Sequence, residues 1–141
     1  GLYSVGVEGG SYTLDRAVYD NIIKHDYTKG RALLATNFDL IWCCEFVEHV
    51  EEKYSDNFLE DFKTSKYVAM TFADVGQDGY HHVNCQPQEY WINKLKEKGF
   101  ELNEEYTEAL RSIAKRTAND TVFPHGCHVQ RILFFKNINN A

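Results

Sequence analysis

The chain contains no apolar run approaching the roughly 18 consecutive residues that a membrane span takes, and no basic flank leading into an apolar core at its start, so neither a transmembrane helix nor a signal peptide is expected. The cytoplasm follows as the expected location. There is no surplus of positive charge either: 15 Lys and Arg stand against 21 Asp and Glu, a net charge of -6. That balance argues against a broad surface for a phosphate backbone and leaves room only for a small nucleic-acid site. The four cysteines, at 43, 44, 85 and 127, form no C-x-x-C pair, and the vicinal Cys43-Cys44 is awkward for a bridge, so reduced thiols are expected. Internal repeats and low-complexity tracts are absent as well. What is present is 141 residues with 43% hydrophobic, 14% aromatic and 26% charged content. Such a chain can bury one real core, and residues 1–141 read as a single domain rather than two. Wholesale disorder, a collagen repeat and a coiled coil do not fit this composition.

Strand and helix signals alternate along the chain. Tyr3 to Glu8, β-branched at Val5 and Val7, reads as a short strand tipped by an acid and followed by Gly9-Gly10. A helical turn over Leu14 to Tyr19 leads to a second strand, Asn21 to Asp26, again acid-tipped. Phe38 to Cys44 is almost continuously apolar, as expected for a strand covered on both faces of a parallel sheet. Phe46, Val50, Tyr54, Phe58 and Phe62 then recur every four residues along one helical face, with Ser55-Asp56-Asn57 able to cap a second helix if the first breaks. Lys66 to Ala73 is a fourth strand, and Asp74 to Gly79 an exposed loop. Pro87 ahead of Trp91, Ile92 and Leu95, with Gly99 beyond them, punctuates a helix. Phe100 to Leu102 is a short strand; Tyr106, Ala109, Leu110, Ile113 and Ala114 have helical spacing; Val129 to Phe135 closes as a strand. This alternation predicts an α/β fold with a mostly parallel sheet and a ligand crevice beyond the C-terminal ends of its strands.

Several residues at those ends suit chemistry. Glu8, before a Gly-rich turn, is placed to accept the two ribose hydroxyls of a nucleoside, and Asp26 an adenine amino group; solvated turn residues are the plainer reading of both. Glu45, Glu48 and His49 stand at i, i+3 and i+4, one face of a helix, and would gather two carboxylates and an imidazole after a buried strand. With His81 or His82 from the following loop, they form a candidate site for Mg, Mn, Fe or Zn; an ordinary helix-surface pair is the alternative. His125-Gly-Cys127-His128 with Cys85 matches no standard zinc knuckle and reads as loop. Tyr90 and Trp91 read as core, whereas Tyr80 is free to meet a ligand.

The Val-Gly-Val-Glu8-Gly-Gly segment, Ile-Ile-Lys-His-Asp26-Tyr, and above all the run from Phe38 through Glu45-Phe-Val-Glu48-His49-Val50 resemble the class I S-adenosylmethionine-dependent methyltransferases. The resemblance extends through the Tyr90-Trp91 helix to Gly99-Phe100. It implies a Rossmann-like methyltransferase sheet, with Glu8 and Gly9 at the cofactor's ribose, Asp26 and Tyr27 at its adenine, and Cys43, Cys44 and Glu45 beside the transferable methyl. The Glu45-x-x-Glu48-His49 pattern is similar to one that helps hold a divalent ion in metal-dependent O-methyltransferase branches, including RNA-end and quinone-precursor enzymes. Catalytic roles then fall to Glu45, Glu48 and His49, the acceptor being an oxygen of a small molecule or an RNA end. The first strand and Gly-rich loop of the family are missing ahead of Val5. The resemblance therefore implies a sheet lacking its first, central strand, either rearranged or completed by a homodimer through exposed edges. A non-catalytic interaction domain, or a metal-binding module using the loop histidines, is the rival from a different class.

Overall fold

The computed structural model describes residues 2–34, 37–117 and 131–140. Strand β1 (Gly6–Glu8) pairs in parallel with β2 (Ile22–Lys24), Gly6 opposite Ile22 and Glu8 opposite Lys24. Between them lies a single helical turn, α1 (Ser11–Leu14), which ends where the sequence suggested one would begin; none of its residues is buried, so no packing extends it. Strand β3 (Phe38–Cys43) pairs in parallel with β4 (Ser65–Met70). The connection is made by α2 (Ser55–Phe62), giving a β-α-β crossover. After α3 (Gln88–Glu97), β5 (Phe100–Leu102) and α4 (Glu104–Thr117), β6 (Leu133–Asn137) inserts between β4 and β5, antiparallel to both.

The molecule is α/β, as expected, but its strands form two sheets. One is β1-β2; the other is mixed, in the order β3-β4-β6-β5. The mostly parallel sheet is thus corrected in its second half, because β6 runs back against both its neighbours. The closing strand also lies later than expected, at Leu133–Asn137; Val129 and Gln130 fall outside the described residues.

The period-four stripe belongs to the core without being one helix. Val50, Phe58 and Phe62 are buried, and Phe46 and Tyr54 pack against them. Only Phe58 and Phe62 lie on α2, however. Upstream the backbone makes two 3-10 turns, Val47–His49 and Glu52–Tyr54, separated by ψ angles of 121° at Val50 and 140° at Glu51. Phe58 sits at the centre, with aromatic rings of Tyr27, Phe46, Phe62 and Trp91 around it. Helix α3 starts after Pro87 and stops before Gly99, whose φ of 88° is open to glycine and strained for other residues. Among the described residues no helix is long and apolar enough to cross a membrane.

The small sheet is bolted to the large one through α2. Buried Asp61 accepts from Arg31 Nε at 2.9 Å and from the Ala32 backbone N–H at 2.6 Å, and Asn57 Nδ2 donates to the Tyr27 carbonyl at 2.7 Å. With these ties in place, β1 has β2 as its partner and β3 has β4, and the remaining edges of β1 and β3 border one cleft.

Candidate functional site

The cleft has a volume of about 380 Å³, within the range of small-ligand sites. Its walls include Val7 and Glu8 at the end of β1, Tyr27 just past β2, and Cys44, Glu45 and Phe46 just past β3. Three of the residues assigned to a nucleoside cofactor, Glu8, Tyr27 and Cys44, therefore share one cavity. Glu8 Oε1 accepts the Gly10 N–H at 2.6 Å, which fixes the carboxylate over the turn and keeps Oε2 for another donor. Gly9 approaches the second strand closely: a Cβ there would lie 2.8 Å from the His25 carbonyl oxygen. Asp26 is exposed and does not line the cleft; it caps the 3-10 turn Tyr27–Lys29 by accepting the Thr28 N–H at 2.9 Å. The Thr28 hydroxyl first and this backbone N–H second hold its carboxyl below the ordinary value. Tyr27 is buried edge-on between His25, Phe46 and Phe58, and burial pushes its phenol far up, with the Asp61 carboxylate adding to the effect.

The acids after β3 are arranged differently from the helical face that their spacing suggested. Glu45 has a positive φ of 49°, and the chain turns sharply there before the 3-10 turn Val47–His49. The turn is set by a threonine: Thr71 Oγ1 accepts the Glu45 N–H at 2.8 Å and donates to Glu45 Oε1 at 3.1 Å. Glu45 lines the cleft, whereas Glu48 meets His82 of the loop after β4. Cys44 beside them is exposed, and burial of its sulfur with Glu45 nearby raises its thiol above the ordinary range. Cys43 is buried and its thiol is raised further, by burial first and the Glu48 charge second. Both are free thiols, as is Cys85.

Glu48, His49 and His82 come together, each offering one ligand atom, all within 4.8 Å of one another. Glu48 is fully buried, and among the described residues neither carboxylate oxygen has a hydrogen-bond partner on another residue. Burial raises its pKa, its own backbone N–H working against the shift; the Glu45 charge raises it further and His49 and His82 lower it. A buried carboxylate with no donor beside two imidazoles fits a divalent cation: the donor set is right and the orphaned oxygens need a positive partner. His81 is not part of this cluster. Its ring is exposed and its backbone, at φ 55°, turns the carbonyl toward His49 Nδ1 at 3.2 Å. His82 Nδ1 is likewise 3.1 Å from the Gln77 carbonyl.

Of the sequence-derived residues, the structure gathers Glu8, Tyr27, Cys44 and Glu45 at the cleft and brings Glu48, His49 and His82 together; Asp26 does not line the cleft, and His81 contributes its backbone. His125, Cys127 and His128 lie outside the described residues. Thr71 and Gln77 were not anticipated. A lone threonine in the apolar run 66–73 was the available signal for the first; a carbonyl contact leaves no trace in sequence for the second. Tyr80 is almost wholly exposed and Trp91 wholly buried, Tyr90 donating to Glu52 Oε1 at 2.9 Å. The chain matches no protein-family model and no curated protein.

Proposed function

We propose that the cleft between β1 and β3 binds S-adenosylmethionine and that the chain transfers a methyl group to an oxygen nucleophile, on a Rossmann-like methyltransferase sheet. One observation carries this reading: Glu8, Tyr27, Cys44 and Glu45, drawn from the ends of three strands, line a single cavity of suitable size. The cofactor supplies a methyl group already activated by a sulfonium leaving group.

The chain's own residues then bind and orient. Glu8 Oε2 accepts from the ribose hydroxyls, held in place by the bond from Gly10 to Oε1. The remaining oxygen of Asp26 takes the adenine amino group, and Tyr27 and Phe46 supply an apolar wall that excludes water. Glu45, clamped by Thr71 at the mouth of β3, takes the proton from the acceptor hydroxyl on its carboxylate. Rate enhancement comes mainly from alignment of the acceptor oxygen with the methyl.

Isothermal titration calorimetry tests the reading. S-adenosylmethionine should bind at one site per chain, and Glu8→Ala should weaken it by about tenfold, the worth of one charge-assisted hydrogen bond. Equal affinity in wild type and variant would remove Glu8 from the site. A second reading, a non-catalytic interaction module, is favoured by β3 itself, where Leu40 and Trp42 are 46% and 59% exposed on one face. Saturable cofactor binding at the cleft decides against it.

A further inference from the structure

We propose that the methyl acceptor is an organic cation, a hydroxyl compound bearing an ammonium group, and that Trp42 together with Glu8 selects for its charge at the mouth of the cleft between β1 and β3. The inference deepens the methyl-transfer reading and rests on it for the acceptor's role; the charge preference of the cleft can be measured without it.

The walls of the cleft change from floor to mouth. Tyr27, Cys43 and Phe62 are at most 9% exposed, whereas Tyr3 and Trp42 are 75% and 59% exposed and stand where a ligand enters. The openness of Trp42 follows from the strand that carries it. Side chains alternate along β3, so Leu40 and Trp42 project from the face opposite Ile41 and the buried Cys43. The neighbour of Trp42 on β4 is Ala69, too small to cover an indole. A ring left open in this way gains when a flat group or a cation covers it.

The charge on the walls has one sign. Glu8, Glu45 and Asp61 line the cleft, and among the described residues no lysine, arginine or histidine does. Asp61 is answered from outside the wall by Arg31, whose Nε lies 2.9 Å away, and that guanidinium is committed there. Glu8 comes from β1 and Glu45 from the turn after β3, so a ligand between the two edges has a carboxylate on each side. A phosphate or carboxylate entering the mouth meets like charge and no cation. An ammonium group meets carboxylates and the face of an indole, the two kinds of partner that organic cations take. The net charge of -6 adds a field of the same sign, which favours the approach of cations. S-adenosylmethionine suits these walls for the same reason, since its sulfonium and ammonium outweigh its one carboxylate. An RNA end, anionic throughout, is the wrong acceptor for them.

Three phenols of similar size and different charge test the assignment: tyramine as the cation, para-ethylphenol as the neutral compound and para-hydroxyphenylacetate as the anion. Each is titrated into the chain with S-adenosylhomocysteine present. Quenching of the exposed indole reports on Trp42, because the chain has two tryptophans and Trp91 is wholly buried; equilibrium dialysis serves for the Trp42 variants. Tyramine should bind about tenfold or more tighter than para-hydroxyphenylacetate, with para-ethylphenol between them. The spread should collapse in about 1 M salt, where charges are screened within a few ångströms. Trp42→Ala should weaken tyramine by about three- to tenfold, and Trp42→Phe should recover part of the loss. Glu8→Gln should narrow the gap between cation and anion, and with the salt series it decides the matter if Trp42→Ala does not fold. Equal affinity for the three compounds, tightest binding of the anion, or a tyramine affinity unmoved by salt and by Glu8→Gln would overturn the proposal. Calorimetric binding of S-adenosylmethionine without the charge order overturns it and leaves the methyl-transfer reading standing; the charge order without cofactor binding overturns that reading and leaves the cleft a site for organic cations.

Discussion

A carboxylate as buried as Glu48 must meet a cation or give up its charge, and the metal-free chain bears that burden in its stability. Burial has raised its pKa, so the folded state favours the protonated form, and ionisation above that point weakens the fold. Glu48→Gln removes the charge and keeps the shape. In the presence of a chelator at neutral pH the variant should be more stable than wild type by about 1 kcal/mol or more, read from urea denaturation. With zinc or cobalt present the order should reverse. Asp61 is the opposite case. It is equally buried, but its two oxygens receive Arg31 and the Ala32 N–H. Asp61→Ala leaves that N–H without an acceptor and unties the small sheet, and should lose about 2–4 kcal/mol in the same measurement.

At the scale of elements, Lys98 joins the end of α3 to α2, with Nζ 3.0 Å from Asp56 and 2.9 Å from Glu60. Hydrogen bonds from Lys98 and then Lys63 hold the Glu60 carboxyl below its ordinary value of 4.5. The sign follows directly: a lowered carboxylate pKa contributes stability that is complete above 4.5 and lost as the pH falls through the folded value. Lys98→Met should therefore be less stable than wild type by about 0.5–1 kcal/mol at pH 7, a modest figure because Glu60 is partly solvated. The difference should shrink in denaturation curves recorded progressively below pH 4.5.

Elements were legible where one strong local signal fixed them. The apolar run at 38–44 gave β3 to within a residue, and Pro87 with Gly99 bracketed α3. The stripe Phe46 to Phe62 predicted burial correctly but not conformation, because a spacing of four is met by 3-10 turns joined by extended residues as well as by one helix. Glu45 and His81 were illegible for a sharper reason. Both take positive φ without being glycine, and what holds Glu45 there is Thr71, 26 residues away. The Glu48-His49-His82 cluster was half readable: Glu48-His49 stood next to each other in sequence, but the choice of His82 over His81 depends on backbone carbonyls that contact His49 and His82.

At the scale of the whole molecule, the strand order positions the candidate site. The direction of β6 and the division into two sheets are long-range pairings that no periodicity encodes. Their result is a cleft bounded by the edges of β1 and β3 and lined by residues from three strand ends, Glu8, Tyr27 and Glu45 among them, with Glu48, His49 and His82 gathered where the turn after β3 meets the loop after β4. The proposed nucleoside site rests on that convergence. Its most direct test is an amide-resolved NMR titration of the chain with S-adenosylhomocysteine. Shifts concentrated at Glu8, Gly9, Tyr27, Cys44 and Glu45 are predicted; a spectrum that does not move, or that moves only at residues remote from β1 and β3, would contradict it.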